Sequence, residues 1–180
     1  MIQTTLPREI ANKYSNPYFF ETGTANGACV TLALSCGYEK IFSVEIEIER
    51  QTENSKTFKK EISENKVKLY TGDSLLLFPE MIKELDKPTT FWLDAHVDEG
   101  VSGVKKCPLY EELETIATNL IKTHTIMIDD ISYFGTKNHW GDGISLETIK
   151  EKILQINPNY NFAFEDGHVP NDILVAYLNK

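Results

Sequence analysis

Five short apolar runs alternate with longer, helix-compatible segments through residue 130, and two further runs close the chain. They are Tyr18-Phe-Phe, Lys40-Ile-Phe-Ser-Val-Glu45, Lys66-Val-Lys-Leu-Tyr70, Thr90-Phe-Trp-Leu-Asp-Ala-His96 and Thr125-Ile-Met-Ile-Asp-Asp130, then Asn161-Phe-Ala-Phe-Glu165 and Asp172-Ile-Leu-Val-Ala-Tyr-Leu178. Strands that are apolar almost throughout are covered on both faces, and regular alternation with helices is how a parallel sheet is wired. The pattern predicts a doubly wound, mostly parallel α/β sheet with helices on both faces. The last pairing is expected to be antiparallel, because the turn Asp166-Gly-His-Val-Pro170 is too short for a crossover. Helices are expected at about 7–15, 27–35, 48–63, 75–85, from Cys107 onward, and at 145–156. At 180 residues the chain reads as one domain, 1–180.

The first run ends in Glu21-Thr-Gly-Thr-Ala-Asn-Gly27 and passes at once into helix-forming sequence. Glycine suits such a strand-to-helix turn because it accepts positive φ and admits a ligand close to the backbone. Asp73 and Ser74 are good N-caps, Gly37 a C-cap and Pro108 a helix start.

Every strand tip from the first to the fifth carries an acid: Glu21, Glu45, Asp73, Asp94 with His96 nearby, and Asp129 beside Asp130. Ligands of open α/β sheets bind beyond these carboxyl ends. Clustered carboxylates repel one another unless a cation, a sulfonium or hydroxyl donors meet them.

The net charge of −9 and the lack of a dense Lys/Arg cluster argue against nucleic acid as the main partner. Three cysteines, Cys29, Cys36 and Cys107, form no pairing pattern and suit a reducing compartment with free thiols. The first residues hold no apolar signal core, and no run approaches the ~18 apolar residues of a membrane helix. A cytoplasmic protein without a membrane partner is expected.

Taken together, these residues resemble the class I S-adenosylmethionine-dependent methyltransferases, whose Rossmann-like sheet has seven strands and ends in a reversed hairpin. The first motif of that family is matched by Glu21, Gly23, Thr24 and Gly27, although Thr24 and Asn26 stand where other members have glycine. The acid on the ribose hydroxyls is matched by Glu45, and the acid beside the adenine amino group by Asp73, followed by Ser74. The resemblance implies S-adenosyl-L-methionine as cofactor, with Asp94 also at its edge.

The fourth and fifth tips are similar to those of metal-dependent small-molecule O-methyltransferases of the catechol and macrolide-sugar type. That likeness implies Asp94, Asp129 and Asp130 as ligands of Mg²⁺, which holds and acidifies a hydroxyl. Asp94 and His96 are then the catalytic pair, with His96 as general base. The acceptor implied is a small molecule or sugar.

Softer candidates are the segments Val97–Lys106 and Gly135–Gly143 as substrate loops, His139 and Trp140 as stacking residues, and Tyr14 closing over the cofactor. His124 and His168 read as structural. With no extra domain in view, a homodimer is one way to complete the substrate site. Two rivals stay open: an NAD(P)-dependent oxidoreductase, opposed by the wide spacing of Gly23 and Gly27, and a non-catalytic binding module, opposed by the complete set of acids.

Overall fold

The computed structural model describes residues 6–96, 107–137 and 139–179. Seven strands form one sheet in the order β3-β2-β1-β4-β5-β7-β6. The strands are β1 (Tyr18–Thr22), β2 (Lys40–Glu45), β3 (Val67–Thr71), β4 (Thr89–Leu93), β5 (Thr125–Ile128), β6 (Asn161–Glu165) and β7 (Ile173–Tyr177). The first five pair in parallel, and β7 runs antiparallel to both β5 and β6. The reversed hairpin expected from the short 166–170 turn is therefore present. Strand order reverses between β1 and β4, which opens the crevice where such sheets take their ligands.

Alternation along the strands divides the core into two layers. Tyr18, Phe20, Phe42, Val44, Phe91, Leu93, Ile126 and Ile128 face one layer, while Phe19, Ile41, Trp92 and Met127 face the other. The first layer is closed by α5 (Ser74–Met81), α6 (Leu109–Thr118) and α7 (Leu146–Ile156). The second is closed by α1 (Arg8–Lys13), α2 (Ala28–Cys36) and Phe58, which lies between α3 (Ile48–Thr57) and α4 (Lys59–Ser63). Phe20 stacks on Phe78 at 4.4 Å between ring centroids and meets Phe91 at 5.2 Å, so the middle of the sheet is an aromatic unit. No helix among the described residues is long and apolar enough to cross a membrane.

Two helices differ from expectation. The single polar helix foreseen over 48–63 is broken at Phe58, whose φ of −99° and ψ of 22° interrupt it while the ring turns inward, 5% exposed. Burial of that ring against the α2 layer outweighs the modest gain from continuing a polar helix. The helix foreseen over 75–85 tightens into a 3₁₀ turn at Ile82–Glu84. Strands β4 and β5 also stop before their acids, so Asp94, His96, Asp129 and Asp130 all lie in the connections beyond the sheet. Residues 97–106, expected to form a substrate loop, lie outside the described residues.

His124 is structural, as its place ahead of β5 suggests. Its Nδ1 accepts the Thr89 N–H at 3.1 Å, its ring meets Phe91 edge-on, and its carbonyl receives the Tyr160 hydroxyl. Burial, assisted by Lys122, pushes its pKa down to about 4. Unfolding releases the ring to its ordinary value of 6.5, so the unfolded chain binds a proton the folded one refuses. This contribution is neutral above pH 6.5 and destabilises progressively as pH falls toward 4, by up to about 3 kcal/mol. Urea unfolding of the wild type and of His124→Asn, which keeps an acceptor without a titrating ring, should diverge over that interval. Parallel pH profiles would refute the assignment.

Candidate functional site

The site begins where the backbone after β1 passes the backbone after β4. Gly23 has φ +87°, its N–H bonds the Val44 carbonyl at 2.9 Å, and a Cβ there would sit 2.8 Å from the Asp94 carbonyl oxygen. Gly27, at φ +75°, starts α2, and a Cβ there would press on the Phe58 ring at 2.6 Å. Both glycines are thus demanded by close approach as well as by positive φ. The bend at Phe58 and the glycine at 27 are two halves of one contact.

Beneath the turn runs a buried polar chain. Gln51 donates to the Tyr70 carbonyl and to Thr24 Oγ1, Thr24 and Ser43 share a hydroxyl bond of 2.5 Å, and Ser43 donates to Glu21 Oε1 at 2.7 Å. Glu21 is 1% exposed. Its burial, reinforced by Asp94 and Glu45 and opposed by the Ser43 bond, pushes its pKa up to about 8. At neutral pH Glu21 is therefore mainly an uncharged member of this chain, supporting the turn from below.

Glu45 works differently. Its Oε2 accepts the Ala25 N–H at 2.7 Å and its Oε1 the Glu47 N–H at 2.9 Å. The carboxylate pins the glycine turn to the end of β2, and each oxygen keeps a further lone pair for a ligand hydroxyl. Asp73 accepts the Leu75 N–H at 2.9 Å and so caps α5, while Ser74 is buried in the first turn of that helix. Gly23, Thr24, Gly27, Glu45, Asp73 and Ser74 thus lie along the carboxyl ends of β1, β2 and β3, with Glu21 enclosed beneath the first turn.

Across the crevice, one group of potential metal ligands joins Asp94, His96 and Asp130, and another joins Asp129, Asp130 and Asp172. Asp130 belongs to both, and Asp94 and Asp129 fall in different groups. His96 Nε2 lies 2.8 Å from Asp130 Oδ2 and 3.6 Å from Asp94 Oδ1. Its ring stacks on Trp140 at 3.8 Å between centroids and 18° between planes. Asp130 adopts φ +55°, and its N–H bonds Asp129 Oδ1 at 2.9 Å. Asp172, at the foot of β7, holds the connection by accepting the Ser132 N–H.

The charges are strongly coupled. Burial, with Asp129 and Asp130 adding and His96 opposing, pushes Asp94 up to about 7. For His96, burial alone favours the neutral ring. The Asp130 hydrogen bond and the three surrounding carboxylates outweigh it and raise the pKa. The same bond, against a smaller burial effect, holds Asp130 below the ordinary carboxylate value.

Of the softer candidates, Trp140 joins the site through His96, while His139 stacks on Tyr133 at 4.4 Å beside it. Tyr14 is turned away, its hydroxyl on Glu165 at 2.5 Å and its ring against Tyr177. It is already committed to the hairpin, so it packs the sheet edge and does not close over the crevice.

One residue was not found by motif. Glu112, on α6, is 2% exposed, and its Oε1 has no hydrogen-bond partner among the described residues. Burial pushes it up to about 7 against the pull of the Thr22 and Ser74 hydroxyls and of His96. The sequence did carry a sign. Leu109, Glu112, Leu113 and Ile116 share one helical stripe, so an acid stands where the 3.6-residue period calls for an apolar side chain.

No protein-family profile and no curated protein matches the chain. Solved structures do. The O-methyltransferase TomG from Streptomyces achromogenes, in complex with S-adenosylmethionine, is 11% identical with a TM-score of 0.65, over 96% of this chain and 78% of that one. An O-methyltransferase from Bacillus cereus in complex with S-adenosylhomocysteine is 13% identical with a TM-score of 0.66, over 96% and 78%. A protein from Clostridium thermocellum, provisionally named an rRNA methylase, is 17% identical with a TM-score of 0.58, over 98% and 97%. The fold is that of the S-adenosylmethionine-dependent methyltransferases.

The two kinds of glycine constraint separate by mutation. Gly37 also has positive φ but open space around it, so Gly37→Ala should cost about 1 kcal/mol in urea unfolding. Gly23→Ala adds a collision with backbone and should cost at least about twice as much. Equal losses would mean that the β1 and β4 connections do not meet as described.

Proposed function

We propose that the protein transfers a methyl group from S-adenosylmethionine to a hydroxyl oxygen of a small molecule or sugar. The observation that carries this reading is the junction at Gly23, where the turn after β1 touches Asp94 after β4 in a crevice rimmed by Glu45 and Asp73. A nicotinamide dinucleotide needs a phosphate seat at the first turn. Here that turn is edged by the carboxylate of Glu45, which suits a sulfonium better than a pyrophosphate.

The residues fit the cofactor. Glu45 would receive the ribose hydroxyls, Asp73 and Ser74 would border the adenine, and Gly23, Thr24 and Gly27 would admit the methionine part, with Glu21 beneath and Asp94 at the far side. When bound, the cofactor supplies a methyl group already activated as a leaving sulfonium, so positioning does most of the catalysis. On the acceptor side, Asp94 orients the hydroxyl, and the His96 ring nitrogen not bonded to Asp130, Nδ1, takes its proton. Trp140 fixes the plane of that ring, and Asp130 steadies the charge it acquires.

A hard divalent cation such as Mg²⁺ would be held through Asp130, common to both groups of acids, with Asp94 or Asp129 as the second oxygen ligand. An ion there would make the acceptor hydroxyl more acidic. RNA is disfavoured as acceptor. The net charge is −9, and the described rim places carboxylates where phosphates would have to pass. A soluble cytoplasmic setting and a homodimer completing the acceptor site are parts of the same proposal.

Calorimetry with S-adenosylhomocysteine should give a saturable heat. Glu45→Ala should weaken it at least about tenfold, since hydrogen bonds to a charged group are worth roughly 1.5–3 kcal/mol each. NADH should give no fluorescence change. Absence of heat with the wild type, or binding of NADH in its place, would sink the proposal. For the cation, product-mass assays against hydroxylated sugars and phenols should lose at least about tenfold in rate on chelation and again in Asp94→Asn. Turnover indifferent to both would remove the metal from the mechanism.

A further inference from the structure

Behind the Asp94–His96–Asp130 group lies a cavity of about 10 Å³, walled by His96, Cys107, Glu112, Asp129, Phe134 and Trp140 among others. That is room for one water-sized group. Glu112 reaches this cavity from α6, nine-tenths and more buried, with Oε1 offering an acceptor position that no described residue fills. Packing does not require an acid here. The neighbouring positions on the α6 stripe are Leu109, Leu113 and Ile116, and an apolar residue at 112 would spare the burial of a polar head.

We propose that Glu112 determines acceptor specificity, its Oε1 receiving the ammonium of a small, amine-bearing hydroxyl compound. The inference rests on the methyl-transfer reading and narrows its substrate class. Three features favour a cationic head. The cavity walls carry the acids Glu112 and Asp129, with Asp94 and Asp130 close behind, and the one basic group among the described walls, His96, is already bonded to Asp130. An anionic head would meet the acids Glu112 and Asp129, with His96 already engaged by Asp130. Phe134 and Trp140 form a right-angled aromatic corner, 87° between planes, and aromatic faces favour a cation over a neutral hydroxyl. The volume suits the end of an alkylamine and excludes a ring.

Three probes that differ only at the tail test this: dopamine, 4-ethylcatechol and 3,4-dihydroxyphenylacetate, titrated into the full chain in S-adenosylhomocysteine by calorimetry. Dopamine should bind at least about tenfold tighter than 4-ethylcatechol, the scale of one charge-assisted hydrogen bond, and the carboxylate should be weakest. Glu112→Gln, of nearly equal size, should abolish the preference while thermal stability and S-adenosylhomocysteine binding stay as in the wild type. Should Glu112→Gln fail to fold, Glu112→Asp, which keeps the charge but withdraws it, must still reduce the preference. Equal binding of the three probes, no binding of dopamine, or a preference that survives substitution overturns the assignment. The heat from S-adenosylhomocysteine alone separates the two levels. If it is present without an amine preference, only this inference falls. If it is absent, the methyl-transfer reading falls with it.

Discussion

A parallel sheet covered on both faces leaves its polar residues one place to go. Side chains along β1, β2, β4 and β5 point alternately into two apolar layers, and a carboxylate within either would be stranded away from water. Beyond the last hydrogen-bonded residue, however, the chain must turn, backbone N–H groups are unpaired, and water or a ligand can reach. Asp73, Asp94, Asp129 and Asp130 lie along that edge, where such groups are least costly, while Glu21 and Glu45 end their strands just short of it. Their crowding there is also what makes the edge chemically useful.

Crowding sets different fates for similar groups. Glu21, fully enclosed beneath the turn, holds its proton to about pH 8 and serves as a hydrogen-bonding strut. Glu45, met by two backbone N–H groups, anchors the turn. Asp130 keeps its charge by pairing with His96, and Asp94, buried beside two further acids, is left poised near neutrality. Neighbours a few ångströms away decide which carboxylate is architecture, which is counter-ion and which is ready to exchange a proton. The stack of Trp140 on His96 adds geometry to that charge pattern, tying the glycine-bearing connection after β5 to the one after β4.

Much of this was legible from residue order. Near-continuous apolar runs, capping residues and short turns are local properties, so the seven strands, the cap at Asp73 and the reversed hairpin could be read directly. Phe58 was not, because a helix broken to bury one ring depends on a glycine 31 positions earlier making room for it. Tyr14 was misread for a similar reason: its partners Glu165 and Tyr177 come from the far end of the chain. The grouping of the fifth-tip acids also escaped, since Asp172 joins Asp129 and Asp130 only because β7 returns beside β5.

The opening alternation of apolar runs and helices, with an acid at each of five tips, was enough to specify a doubly wound sheet and the edge on which those acids gather. Both follow from local periodicity and from the cost of burying charge. Tertiary structure alone decided that Glu21 stays protonated, that His96 is shared between Asp94 and Asp130 under Trp140, and that Glu112 turns inward. Those outcomes depend on dielectric and distance between segments remote in sequence, and burial is a property of the assembled layers.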